Sequence, residues 1–139
     1  MRRVFFDTSA YIALTDASDQ FHREAVELVE MLICARLPRV TLNYVLAETY
    51  TRTMRKLGHR AAVRLGERLQ QDGAAGKLSI IQADAALDNT AWKLFQRYRD
   101  QQFSYVDCAS FAWLQQAGQV EVFAFDKHFT WMGFSPFQG

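Results

Sequence analysis

Proline, glycine and cysteine are all scarce in this sequence. Its 139 residues include two Pro, seven Gly and two Cys, which excludes a Pro/Gly-rich disordered chain, a collagen-like repeat and a disulfide-stabilised miniprotein. Cys34 and Cys108 are far apart in the sequence, and we interpret them as reduced thiols. Half of the residues are apolar, and for a chain of this length we expect a single domain over residues 1–139.

The chain also lacks an excess of charge of either sign and lacks long apolar segments. Sixteen Lys and Arg residues oppose fifteen Asp and Glu residues, which gives a formal net charge of +1. Any attraction to nucleic acid must therefore come from local patches. Asp7 interrupts the first apolar run too early for a signal peptide, and no run approaches the about 20 apolar residues of a membrane span. These features predict a cytoplasmic protein without membrane association.

Short apolar runs alternate with segments of helical periodicity along the chain. Four runs rich in β-branched or aromatic residues are expected to be strands, at residues 4–6, 40–42, 78–81 and 122–125. Helices are expected between them. Gly58 is expected to separate two of these helices, and Asp72, Gly73 and Gly76 are expected to form the turn before the third strand. This alternation is typical of an α/β fold with a mostly parallel central sheet.

Four acidic residues are expected at one edge of that sheet. The carboxyl ends of parallel strands and the N-termini of the following helices meet there, and ligands bind where the strand order reverses. Asp7 and Asp126 end the first and fourth strands. Glu48 lies about one turn into the helix after the second strand, and Asp107 lies in the first turn of the helix before the fourth. Asp84 follows the third strand, which is expected at the outer edge, so we interpret Asp84 as a helix N-cap.

Helix capping is an alternative explanation for three of these acids taken singly, and Glu48 is harder to explain in this way. Asp7 and Asp126 have the positions of N-caps, and Ser104 and Asp107 have the spacing of a capping box. Four acids together without basic neighbours would raise one another's pKa values, at about 4 kcal/mol per close pair for an effective dielectric near 20. A divalent cation removes this cost, and carboxylate oxygens favour Mg²⁺ or Mn²⁺. Such an ion binds phosphate and activates water, which indicates phosphodiester hydrolysis.

Two other kinds of site are not supported by the sequence. Glycine-rich phosphate loops are absent, which argues against a nucleotide-binding P-loop or a dinucleotide fold. His22, His59 and His128 have neither metal-ligand spacing nor a triad-like relation to a carboxylate. We therefore interpret each of these histidines as a surface or boundary residue.

The acids and their surroundings resemble the PIN-domain ribonucleases, and within them the VapC-type toxins of bacterial toxin-antitoxin pairs. The matching strings are Phe5-Phe6-Asp7-Thr8-Ser9-Ala10, Leu46-Ala47-Glu48, Ser104-Tyr105-Val106-Asp107 and Phe125-Asp126-Lys127-His128-Phe129. The resemblance covers nearly the whole chain. It implies a three-layer α/β/α fold and a metal-dependent endoribonuclease that leaves 5′-phosphate ends. It also implies a cognate protein antitoxin and a homodimer.

The resemblance also implies a role for individual residues. Asp7, Glu48, Asp107 and Asp126 are the expected catalytic residues and ligands of Mg²⁺ or Mn²⁺, with Asp126 assisting through a second metal or a bound water. Thr8, Ser9 and Ser104 are expected to support them, Thr8 and Ser9 either as helix caps or by holding Asp7 or a water. The chain departs from the family pattern at Cys108, where Ala is commoner, and at Ala124, where Thr or Ser is commoner.

One local concentration of positive charge stands out in this nearly neutral chain. Arg52, Lys56, Arg60, Arg64 and Arg68 recur every four residues. We expect these side chains to contact RNA phosphates, without reading sequence. A solvated helix face is the alternative, because Gly58 can divide the stripe between two helices.

Two other functions stay open on the sequence alone. A non-catalytic RNA- or protein-binding module would share the fold, but binding an anion would favour loss of the four acids. A phosphoacceptor receiver domain also places acids and Mg²⁺ at this edge. It needs an adjacent acidic pair at the end of the first strand, where this chain has Phe6 and Asp7.

Overall fold

Four parallel strands form the central sheet in the computed structural model, which describes residues 2–139. They are β1 (Val4–Phe6), β2 (Arg39–Leu42), β3 (Leu78–Ile81) and β4 (Glu121–Phe123), in the order β3-β2-β1-β4. All three residues of β1 are buried. Because successive side chains of a strand point to opposite faces, the sheet is covered on both sides. The predicted layered α/β fold with a parallel sheet is confirmed.

Seven helices accompany the sheet within the described residues. They are α1 (Thr8–Thr15), α2 (His22–Cys34), α3 (Asn43–Leu57), α4 (His59–Ala74), α5 (Ala85–Arg97), α6 (Tyr105–Ala117) and α7 (His128–Trp131). Gly58 separates α3 from α4 with a φ of 98°, a value that favours glycine, as the sequence predicted. No helix in residues 2–139 combines the length and the apolar character needed to cross a membrane.

Two details of the predicted secondary structure are wrong. Helix α4 continues through Asp72 and Gly73, and the turn lies at Gly76. A Cβ atom on Gly73 would lie 2.9 Å from Ile80 Cδ1, so this glycine allows α4 to approach β3 closely and does not make a turn. The fourth strand, expected at residues 122–125, ends at Phe123, and the segment after it contains helix α7 and Pro136, which forms a single bridge with Val122.

The strand order determines where ligands can bind. It reverses between β1 and β4, and Asp7 follows β1 directly. Strand β3 lies at the outer edge, and Asp84 caps α5 by accepting a hydrogen bond from Leu87 N at 2.8 Å. The interpretation of Asp84 as an N-cap is therefore confirmed, and the candidate site lies beside β1 and β4.

Candidate active site

Three of the four predicted acids come together where the strand order reverses. Candidate ligand atoms of Asp107, Asp126 and His128 all lie within 4.8 Å of one another. Asp7 does not belong to that group, but at the end of β1 it lies close enough for the charge of Asp126 to raise its pKa. Asp7 and Asp107 are buried, with 2% and 8% of their surface exposed. We call Asp7, Asp107 and Asp126 the acidic cluster.

Each carboxylate of the acidic cluster is held through one of its oxygens. Asp7 Oδ2 accepts hydrogen bonds from Ser9 N at 3.1 Å and Ser9 Oγ at 2.7 Å. Asp107 Oδ2 accepts from Ser104 N at 3.1 Å and lies 3.0 Å from His128 Nδ1. Asp126 Oδ1 accepts from His128 N at 3.1 Å. The second oxygen of each carboxylate is thereby left for a cation.

Capping and clustering coexist at two of these acids. Asp7 is the N-cap of α1, and Ser104 and Asp107 form a complete capping box at the start of α6. Both caps use Oδ2 alone. The capping roles considered from the sequence therefore do not compete with metal binding, because the caps orient the second oxygen.

Burial and mutual repulsion make the acidic cluster hard to ionise. Burial, followed by the charge of Asp126, raises the pKa of Asp7 to about 7, against the opposing bonds from Ser9. Burial and Asp7 raise the pKa of Asp107. Burial and Asp107 raise the pKa of Asp126. Without a cation, these groups cannot all carry their charge at neutral pH.

Asp16 shows how a basic partner changes the pKa of an aspartate in the same chain. Its Oδ2 lies 2.7 Å from Lys56 Nζ, and Lys56, followed by Ser18, lowers its pKa to about 2. Within residues 2–139, no Lys or Arg nitrogen lies within 4.0 Å of a carboxylate oxygen of the acidic cluster. Carboxylate oxygens that lack a Lys or Arg partner suit a hard divalent cation. The residues present therefore fit a divalent metal ion.

Comparison with known proteins gives the family of this chain. The PIN domain model matches residues 4–134. The chain belongs to the PIN-domain family. It is 36% identical over 136 residues to the 23S rRNA-specific endonuclease VapC20 from two strains of Mycobacterium tuberculosis, with 94% of this chain and 95% of the relative covered. The crystal structure of M. tuberculosis VapC20, a Sarcin-Ricin loop cleaving toxin, superposes with a TM-score of 0.81 at 32% identity, covering 94% of this chain and 95% of that chain.

The predicted PIN-domain glutamate stands apart from the acidic cluster. Glu48 is half-buried on α3 and does not belong to the group of ligand atoms around Asp107. It lines a groove of about 620 Å³ that is also lined by Tyr105 and Val106, at the start of α6. We call this the α3–α6 groove. Glu48 is thus next to the helix end that carries Asp107, on the wall of a shared groove.

The predicted supporting hydroxyls have different partners in this PIN domain. Ser9 Oγ donates to Asp7 and accepts a hydrogen bond from Phe125 N at 2.9 Å. It thereby connects the end of β1 to the segment that carries Asp126. Ser104 contributes the capping box. Thr8 Oγ1 lies 3.5 Å from the Val45 carbonyl oxygen of α3, so its hydroxyl faces the helix packing and not the carboxylates.

The basic residues that recur every four positions from Arg52 to Arg68 are divided by the turn at Gly58. Arg52 and Arg55 line the α3–α6 groove together with Glu48. Lys56 is paired with Asp16. Arg64 and Arg68 line a different groove of about 800 Å³, formed with residues of α1 and α2. Arg60 is exposed on α4. Residues that follow a single period in the sequence therefore lie on separate surfaces.

Sequence reasoning missed His128. It was expected at the surface or boundary without a role, and it is half-buried with Nδ1 on Asp107 and its backbone N–H on Asp126. The available signal was its position two residues after Asp126. A loop that places a carboxylate in a site also places the residues that follow it in that site. The absence of metal-ligand spacing therefore does not exclude a role for His128.

Proposed function

We propose that the protein is a metal-dependent endoribonuclease that cleaves 23S rRNA, with Asp7, Asp107 and Asp126 as ligands of Mg²⁺ or Mn²⁺. The endonuclease class itself, predicted from the sequence, is confirmed by the family and by the named relatives. The observation that carries the proposal is the acidic cluster: Asp7 and Asp107 are buried, the pKa values of all three acids are raised, and no Lys or Arg among the described residues pairs with them. The rRNA target comes from the likeness to VapC20 over 94% of the chain.

The residues of the chain prepare the site before RNA arrives. A divalent cation bound here supplies Lewis-acid polarisation of the phosphodiester and activation of a water. Ser9 and Ser104 hold one oxygen of Asp7 and of Asp107, so the free oxygens are oriented in advance. Burial of both aspartates keeps bulk water out and strengthens every charge interaction in the site.

Glu48 and two arginines give the α3–α6 groove its function in this proposal. Mg²⁺ keeps several of its waters, so Glu48 can contribute through water without joining the acidic cluster. Arg52 and Arg55 line the same groove and supply positive charge for RNA phosphates. The groove would thus guide the strand towards Asp107.

The proposed partners follow from the family. They are the RNA substrate, a cognate protein antitoxin and a second copy of the chain, in the cytoplasm, with residues 1–139 acting as one domain. Trp92 and Phe95 form an aromatic pair on α5, 53% and 40% exposed, with ring centroids 5.9 Å apart. Aromatic side chains are enriched at protein interfaces, which supports a partner surface on α5.

Cleavage of purified 23S rRNA tests the proposal. The protein is incubated with the RNA in Mn²⁺, in Mg²⁺ or in EDTA, and the new 5′ ends are mapped by primer extension. We expect a small number of discrete cuts with either ion and none in EDTA. Binding without cleavage in all three conditions would favour the non-catalytic module, and equal cleavage in EDTA would contradict the metal dependence.

The arginines of the α3–α6 groove should contribute more to RNA binding than those of α4. Replacing Arg52 and Arg55 with Gln removes two charges from the α3–α6 groove and keeps helix propensity. On single-stranded RNA, the log-log salt slope should become shallower by about 1.4, at about 0.7 per phosphate contact. Affinity is measured across a salt series in an Asp107→Asn background, which prevents cleavage.

The matched control replaces Arg64 and Arg68 with Gln, which removes the same charge from the second groove. This variant should keep the wild-type slope. If the salt slope changed more in the control than in the Arg52 and Arg55 variant, the RNA would contact α4 and not the α3–α6 groove.

A further inference from the structure

His128 contacts two members of the acidic cluster at once. Its ring nitrogen Nδ1 lies 3.0 Å from Asp107 Oδ2, and its backbone N–H donates to Asp126 Oδ1 at 3.1 Å. Asp107 starts α6 and Asp126 follows β4, so the two acids reach the site from separate elements. His128 is therefore a direct polar connection between them.

The orientation of the His128 ring is determined by packing. The imidazole and the ring of Phe103 pack edge to face, with centroids 5.0 Å apart and planes inclined by 71°. Phe103 is buried. The next residue, Phe129, is also buried and anchors α7 in the core. This packing holds the imidazole against Asp107. A residue that positions another side chain must itself be held in place.

The contact with His128 fills the second lone-pair direction of Asp107 Oδ2. A carboxylate oxygen has two lone-pair directions, and Asp107 Oδ2 meets both Ser104 N–H and His128 Nδ1. Asp7 Oδ2 is occupied in the same way, by the N–H and the hydroxyl of Ser9. A backbone N–H and a second polar group therefore contact one oxygen of each of these aspartates, and His128 Nδ1 has the place at Asp107 that the Ser9 hydroxyl has at Asp7.

We propose that His128 is a positioning residue, which donates from Nδ1–H to Asp107 Oδ2 and thereby directs Oδ1 of Asp107 to the divalent cation. This inference rests on the proposed function, since it assigns to Asp107 a role as metal ligand. Groups that orient a metal-binding side chain typically change metal affinity 10- to 100-fold when they are removed.

Two substitutions separate the hydrogen bond from the packing of the ring. His128→Asn keeps an N–H donor one bond beyond Cγ, in the place of Nδ1. His128→Leu keeps an apolar side chain against Phe103 and removes the donor. Mn²⁺ binding to the RNA-free protein is measured by isothermal titration calorimetry. We expect the Leu variant to bind Mn²⁺ about 10- to 100-fold more weakly, and the Asn variant to stay close to wild type.

His59→Leu is the matched control, because His59 is exposed at the start of α4, away from the acidic cluster, and should leave Mn²⁺ affinity unchanged. Wild-type affinity in the His128→Leu variant, or equal losses in the Leu and Asn variants, would overturn the positioning role while leaving the proposed function in place. Absence of Mn²⁺ binding to the wild type would overturn both.

A measurement on the wild type covers the case in which the Leu variant does not fold. Nitrogen-15 NMR of the imidazole in the Mg²⁺-loaded protein reports which ring nitrogen carries the proton. The proposal requires a proton on Nδ1 of His128. An unprotonated Nδ1 in the loaded protein would overturn it.

Discussion

Replacing Asp107 with Asn is expected to slow Mn²⁺-dependent RNA cleavage by about a thousandfold, or about 4 kcal/mol of transition-state stabilisation. Asn keeps the volume of the side chain and can still accept the Ser104 N–H that completes the cap. It removes the charge that the cation requires. The rate is measured under single-turnover conditions with saturating protein, so that a change in RNA affinity does not contribute.

Asp84→Asn is the control for this substitution. Asp84 caps α5 at the outer edge of the sheet, and Asn caps helices as well as Asp does. This variant should cleave at the wild-type rate. Full activity of the Asp107→Asn variant, with its fold intact by circular dichroism, would remove Asp107 from the catalytic site.

The second large effect concerns stability without metal. Burial and Asp126 raise the pKa of Asp7 to about 7 in the folded protein, against an ordinary value of 3.8. The folded state therefore binds this proton more tightly than the unfolded state. Stability present below about pH 4 should be lost as the pH rises to about 7. Since one pKa unit corresponds to about 1.4 kcal/mol, the loss should amount to a few kcal/mol.

Asp7→Asn should remove this loss and make the metal-free protein more stable than wild type at pH 8. Urea unfolding in EDTA at pH 5 and pH 8 measures the difference. Asp16→Asn provides a control of opposite sign: Lys56 lowers the pKa of Asp16 to about 2, so this substitution should destabilise the protein at pH 8. If Asp7→Asn instead destabilised the metal-free protein at pH 8, the electrostatic description of the acidic cluster would be wrong.

The sequence predicts the parts of the site that depend on backbone topology. Asp7 ends a strand and Asp107 completes a capping box, and both positions follow from local patterns combined with the parallel sheet. The placement of Glu48 depends on how α3 is rotated about its axis. That rotation is determined by packing against the core, which a helical period alone does not specify.

Contacts between distant segments account for what the sequence did not predict. Lys56 is paired with Asp16, a residue forty positions away. The period of four from Arg52 to Arg68 continues across Gly58, but one helix ends and another begins there, and Arg52 lines a different groove from Arg64 and Arg68. His128 reaches Asp107 through a loop whose course no periodic pattern describes.

Anomalous diffraction from a crystal soaked in Mn²⁺ tests most directly whether the acidic cluster is a single metal site. A difference map at the manganese edge locates the ion without reference to activity. We predict a peak in contact with the free oxygens of Asp7, Asp107 and Asp126, and no such peak in an Asp107→Asn crystal. The soak uses millimolar Mn²⁺ and a crystal form in which the site is open to solvent. A peak only at another position, or no peak at the acidic cluster, would contradict the account.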